Sequence, residues 1–362
     1  MSAQSLDALI DSRKLLIVCG TGGVGKTTLS ASIAVRGALQ GKKTAVITID
    51  PARRLANALG MTKLGHEPTE LREKLAEVLK TAPPRSIGSF CAISPETRKT
   101  FDEFLESLTS NPALLDSIRS NPIFKLFSGE FSGTHEMMAM QKLHALQKEA
   151  HYDLLVLDTP PSQSMETFLQ APHLLTRFFE TKILGWLALS GSSALQTSLR
   201  IGTELLEKLT GASFVREMVQ LAQSMLELQT QFALNLRGIE ALLTSKELGF
   251  LIVTSPQEQA AQTAESFRQF LAQRHFQYDG WILNRSLEHL TPDPVPPQIH
   301  EILSQAQRFE AELKSHLNHH PWIASVPELA RDVHSIEDLI YVSQFLGPQN
   351  SPQPPPQERS HF

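Results

Sequence analysis

The sequence predicts an α/β fold: a doubly wound, mainly parallel sheet carrying a helical insertion subdomain. Three observations predict it. Short apolar, β-branched runs recur along the 362 residues. Several are apolar almost throughout rather than alternating, as strands covered on both faces must be. Segments of helical character separate them, which implies βα crossovers.

The runs are KLLIVCG (14–20), KTAVITID (43–50), IGSFCAIS (87–94), YDLLVLD (152–158), LGFLIVTS (248–255), YDGWILN (278–284) and PWIASVP (321–327). Two intervals between them, 95–150 and 162–245, are too long for single crossover helices. Both are rich in Leu, Met, Phe, Gln and Glu, so they are predicted to be helical insertions packing into one subdomain. Residues 1–345 then form one domain, with no repeat of its loop motif. The Pro/Gln-rich stretch 346–362 buries too little apolar surface to order itself, which predicts a disordered tail.

Bulk properties exclude several classes. A net charge of -5 argues against a broad nucleic-acid surface, so no nucleic-acid partner is expected. The two cysteines, Cys19 and Cys91, form no CxxC pair, which excludes a disulfide framework and a zinc site and fits a reducing compartment. MSAQSLDALIDSRK lacks the basic start and apolar core of a signal peptide, and no run reaches the ~20 apolar residues that span a bilayer. A cytoplasmic location is expected.

The first strand run opens into Gly20-Thr21-Gly22-Gly23-Val24-Gly25-Lys26-Thr27-Thr28, which satisfies GxxxxGK[ST] between a strand and a helix. Glycines let backbone N–H groups converge on phosphate oxygens, and the helix N-terminus adds its positive end. Lys26 is placed to meet the β- and γ-phosphates of ATP, and the Thr27 hydroxyl to ligate Mg²⁺. The fold is thus expected to be a P-loop NTPase.

Asp50 ends the second run, at the strand end where ligands bind in open α/β sheets. It either orients the attacking water or caps the helix that Pro51 begins, and the two roles are compatible. Asp158 follows four apolar residues, the pattern that sets a carboxylate beside Mg²⁺; Pro160 and Pro161 stiffen the loop after it. Asn284 closes its run, where its amide offers a donor and an acceptor to an adenine edge or serves only as a turn residue.

Together, GTGGVGKTT, IDPARRLANALG, VLDTPP and Asn284 resemble the family of arsenite-pump ATPases and tail-anchored-protein targeting factors, within the deviant-P-loop class. The resemblance covers about 1–345. It implies ATP·Mg²⁺ binding, homodimerisation across the nucleotide, and a helical subdomain whose position follows nucleotide state. On it, Asp50 corresponds to the water-activating aspartate and Asn284 to the adenine-contacting asparagine. VTSPQEQ (253–259) falls where the family has its adenine-side loop, and SGTHEMMAMQKL (132–143) resembles its glycine-glutamate helix start.

Three departures stand out. The family's intersubunit lysine would fall at Thr21, which carries no charge; Arg53 and Arg54 either replace it or form a solvated helix face. The zinc-clamping CxxC of the eukaryotic targeting factors is missing. Arsenite requires clustered soft thiolates, and neither cysteine suits such a site, so arsenite transport is disfavoured.

Within 214–232, Phe214, Met218, Leu221, Met225, Leu228 and Phe232 make one apolar helix stripe. A second dense patch runs from Phe168 through Leu187. Either these pack into the core, or they form a groove for a hydrophobic helix or membrane protein. The histidines show no HExxH motif, so no metal beyond Mg²⁺ is expected. Two functions follow: an ATP-hydrolysing switch that captures or releases a hydrophobic client, or an ATP-binding scaffold that does not hydrolyse.

Overall fold

The structure is a computed structural model, and it describes residues 5–49, 53–79, 87–125, 134–149, 151–159, 165–166, 168–169, 211–290, 297–317 and 322–347. Asp50 lies outside the described residues, as do most of the 168–187 patch and the predicted tail beyond Gly347.

Each of the seven apolar runs holds a strand: β1 (Leu15–Gly20), β2 (Thr44–Thr48), β4 (Phe90–Ile93), β5 (Leu154–Asp158), β6 (Leu248–Thr254), β7 (Tyr278–Ser286) and β8 (Trp322–Pro327). The sequence reading missed β3 (Thr69–Glu70), which pairs antiparallel with β4 and is too short to show a period. The order is β3-β4-β2-β5-β1-β6-β7-β8, and every other pair is parallel.

Every residue of β1 and β6 is buried, which is why these strands read as unbroken apolar runs. Leu16 and Val18 join one core cluster with Ile33 and Ala34 of α2 (Lys26–Leu39) and Leu339 and Val342 of α11 (Ile336–Phe345). Leu15 and Ile17, pointing to the opposite face, are equally buried. Helix α2 is buried nearly all round, with Ser30 and Ser32 enclosed beside Leu29, Ile33 and Ala34.

Polar ties fix these layers. The buried Thr44 hydroxyl donates to the Ala34 carbonyl at 2.9 Å, pinning β2 to α2. Arg36 of α2 grips Asp7 of α1 (Leu6–Ser12) at 2.5 and 2.7 Å and donates to the Ser343 carbonyl of α11 at 2.9 Å. Away from the loop end of the sheet, Arg13 forms a forked pair with Asp279 at 2.6 and 2.8 Å, and burial leaves that carboxylate almost no water.

The chain divides into two compact units: Met1–Pro95, Leu146–Glu166 and Leu243–Phe362 in one; Glu96–Ala145 and Thr167–Leu242 in the other. The first holds the sheet. The second is built among the described residues from α5 (Thr97–Leu108), α6 (Pro112–Ser120), most of α7 (Thr134–Lys148) and nearly all of α8 (Ala212–Leu243). Its core joins Phe104, Leu108, Ile118 and Met138 to Leu228 and Phe232 of α8. The far end of the predicted stripe is thus core, with Leu221 and Met225 packed against it and Phe214 exposed at the helix start.

Candidate functional site

The loop after β1 and the start of α2 form the floor of the candidate site. Gly25, the residue before α2, has φ of +89°, and a Cβ there would lie 2.2 Å from the Asn284 amide nitrogen. At Gly20 a Cβ would meet the Val253 carbonyl oxygen at 2.4 Å. Both positions admit only glycine, which lets the loop pack directly against β6 and the Asn284 side chain of β7.

Lys26 is the first residue of α2, and its ammonium donates to the carbonyls of Gly20 at 3.0 Å and Thr21 at 2.7 Å. The charge is held inside the loop rather than released to solvent. Val24 is buried, Gly22 and Gly23 are exposed, and Thr27 and Thr28 lie half-buried in the first helical turn.

Asp158 ends β5, in register with Val18 of β1 on one side and Thr48 of β2 on the other. It is buried, and its Oδ2 accepts from the Thr48 hydroxyl at 2.9 Å. The next residue, Thr159, donates its hydroxyl to the Val18 carbonyl at 2.7 Å. The sequence reading did not single out either of these two threonines, which tie β5 to its neighbours on both sides. Thr48's signal was available: a lone hydroxyl at the carboxyl end of an apolar strand, two residues before Asp50.

Asn284 lies two residues before the end of β7, inside the strand rather than at its tip. Its amide nitrogen donates to the Val24 carbonyl at 2.8 Å, so it braces the loop directly. The next residue, Arg285, has φ of +60° and sits where the pairing of β7 with β8 shifts register, before Ser286 pairs again with Pro327. Sheet order thus brings the loop, Asp158 and Asn284 to one edge of the fold from distant parts of the chain. Arg53 and Arg54 are exposed at the start of α3 (Arg54–Ala58).

The donor set fits a nucleotide with a hard cation: loop amides and an ammonium for phosphate, a hydroxyl and a carboxylate oxygen for Mg²⁺. The thiols are of another kind. Burial pushes Cys19 well above the usual thiol range, although the Lys26 ammonium pulls the other way. Burial and the hydrogen bond to Glu70 push Cys91 up to about 12.

The family model for anion-transporting ATPases matches residues 13–347. The chain belongs to that family. Individual relatives are distant. An "ATPase ASNA1 homolog 1" of Paramecium tetraurelia is 30% identical over 168 residues, 45% of each chain. A "putative arsenical pump-driving ATPase" of Halobacterium salinarum is 27% identical over 164 residues, 45% of this chain and 24% of the relative. An uncharacterised protein of Streptomyces coelicolor is 25% identical over 316 residues, 85% of this chain and 73% of its own length. The chain spans under half the length of the first two relatives. Among the described residues no helix is long and apolar enough to cross a membrane.

Proposed function

We propose that this family member is a Mg²⁺-dependent ATPase acting as a molecular switch, whose nucleotide state governs capture or release of a hydrophobic client or membrane partner. One observation carries the reading: Lys26 and Asn284, far apart in sequence, both bond to carbonyls of the glycine loop, and Asp158 ends the strand paired with the one that opens into it.

In this reading the loop amides and Lys26 hold the phosphates, while Thr27 and Asp158 hold Mg²⁺, which neutralises phosphate charge when bound. Asn284 faces the adenine, and Asp50 orients the attacking water. Residues 1–345 act as one ATPase domain, the insertions 95–150 and 162–245 serve as its client-handling subdomain, and ATP closes a homodimer. Arsenite is a poor cargo for this chain, because both thiols are buried and stay protonated.

Phosphate release by the purified chain tests hydrolysis: turnover that disappears in Lys26→Ala supports the proposal. Single-turnover hydrolysis tests Asp50; an unchanged rate in Asp50→Asn with ATP still bound removes its role. Thr21 favours one other reading, a scaffold that binds ATP without hydrolysing it, since no charge at that position reaches a partner's phosphates. Tight ATP binding with no phosphate release in any oligomeric state would select the scaffold.

A further inference from the structure

The chain leaving β7 is clasped by one face of α10 (Pro297–Leu317). Gln307, Glu310 and Lys314 lie at i, i+3 and i+7, and so share a side of that helix. Gln307 donates to the carbonyls of Leu287 at 2.8 Å and Leu290 at 2.9 Å. Glu310 is 2% exposed; one carboxylate oxygen accepts from the Ser286 hydroxyl at 2.5 Å and the other from the Leu287 N–H at 2.7 Å. Lys314 bridges Glu310 at 2.9 Å and Glu288 at 2.5 Å. The bond to its lysine holds the Glu288 carboxyl below the usual carboxylate range.

A buried carboxylate with three partners is a demanding device for merely fastening a helix, which apolar contacts do without desolvating a charge. Its place suggests a more specific task. Ser286 and Leu287 follow Asn284 by two and three residues, with Arg285 between them in the left-handed region. Asn284 in turn donates to Val24 of the phosphate loop. A continuous path therefore runs from Glu310 through Ser286 to Asn284 and the loop.

We propose that Glu310 is a positioning residue for the base end of the nucleotide site. By fixing Ser286 and Leu287 it keeps the Asn284 amide nitrogen on the Val24 carbonyl, which sets where the amide oxygen points. That oxygen accepts from the exocyclic amino group of adenine and repels the carbonyl that guanine carries there. Glu310 thereby selects adenine over guanine without touching the base. The inference rests on the proposed base contact of Asn284.

The test is equilibrium binding of fluorescent ATP and GTP analogues to the full chain, with melting temperature measured alongside. The unmodified chain prefers ATP, and Asn284→Ala abolishes that preference. Ser286→Ala, which keeps Glu310 and removes only one hydroxyl, lowers the ATP-over-GTP ratio about three- to tenfold, the effect of losing one buried hydrogen bond. Glu310→Ala lowers it further, and Glu310→Gln, which retains one acceptor oxygen, recovers part of the loss. Lower melting temperatures with an unchanged ratio in the folded Ser286 and Glu310 variants would overturn the inference alone. A preference that survives Asn284→Ala removes the base contact itself and the inference with it, as does failure of the unmodified chain to bind either nucleotide.

Discussion

The hydroxyl of Thr48 donates to Oδ2 of Asp158 at 2.9 Å, across the pairing of β2 with β5. This bond ties the acidic side chain to the neighbouring strand at the carboxyl end of β5. On the proposed role of Asp158, Thr48→Val, nearly isosteric, weakens Mg²⁺ dependence of nucleotide binding about tenfold, as loss of an outer-shell partner does. Thr48→Ser restores it. A Mg²⁺ titration of nucleotide affinity reads the difference, and equal titrations in all three chains would show that Asp158 is oriented by other contacts.

Legibility in the sequence followed the range of the interaction. Lys26 and the glycines of its loop are a local motif, and β1 and β6 are local apolar runs, so both could be read directly. The bonds that assemble the site are not local: Thr48 and Asp158 are 110 residues apart, and Asn284 and Val24 are 260 apart. No periodicity reports such pairs. The helix α1 was missed because its seven residues are too few for a period, although Ser5 caps it by accepting from the Ala8 N–H at 3.3 Å.

Arg13 and Asp279 form a largely buried ion pair near the start of β1 and β7. Arg13→Ala leaves the Asp279 carboxylate buried and uncompensated, which costs about 3–5 kcal/mol of stability. Replacing the pair together, by Arg13→Met with Asp279→Leu, is expected to recover much of that loss. Urea unfolding of the three variants measures it, and additive losses in the double variant would mean that packing rather than charge dominates.

Both cysteines are buried, and both thiols are held protonated above their usual range, Cys91 at about 12. Neither is therefore a thiolate at pH 8, and iodoacetamide is expected to label the native chain only through opening of the fold. Labelling through opening follows the thiolate fraction of the opened chain, whose thiol lies near the ordinary value of about 8.5, so it rises about fourfold between pH 8 and pH 9.5 and then levels off. In denaturant both label at once. Rapid native labelling of either residue would return thiol chemistry to consideration.

Phe232 and Phe214 sit on one predicted stripe but have opposite fates. Phe232 is buried in the helical core, with its ring set edge-on to Phe104 at 5.2 Å, while Phe214 at the other end of the stripe is 41% exposed. Core truncation removes transfer energy and leaves a cavity, so Phe232→Ala costs about 3–5 kcal/mol, whereas Phe214→Ala stays within about 0.5. With two compact units, global unfolding need not be two-state, so hydrogen exchange resolved by peptide is the suitable measurement. Phe232→Ala should raise exchange across α5, α6 and α8 while leaving β1 and β6 protected. If the whole stripe lined an open groove instead, neither change would alter exchange, and both would weaken binding of an apolar helical peptide. The outcome thus fixes how much of α8 is free for a client: only the stretch from Phe214 toward Leu221 remains available once Leu228 and Phe232 are assigned to the core.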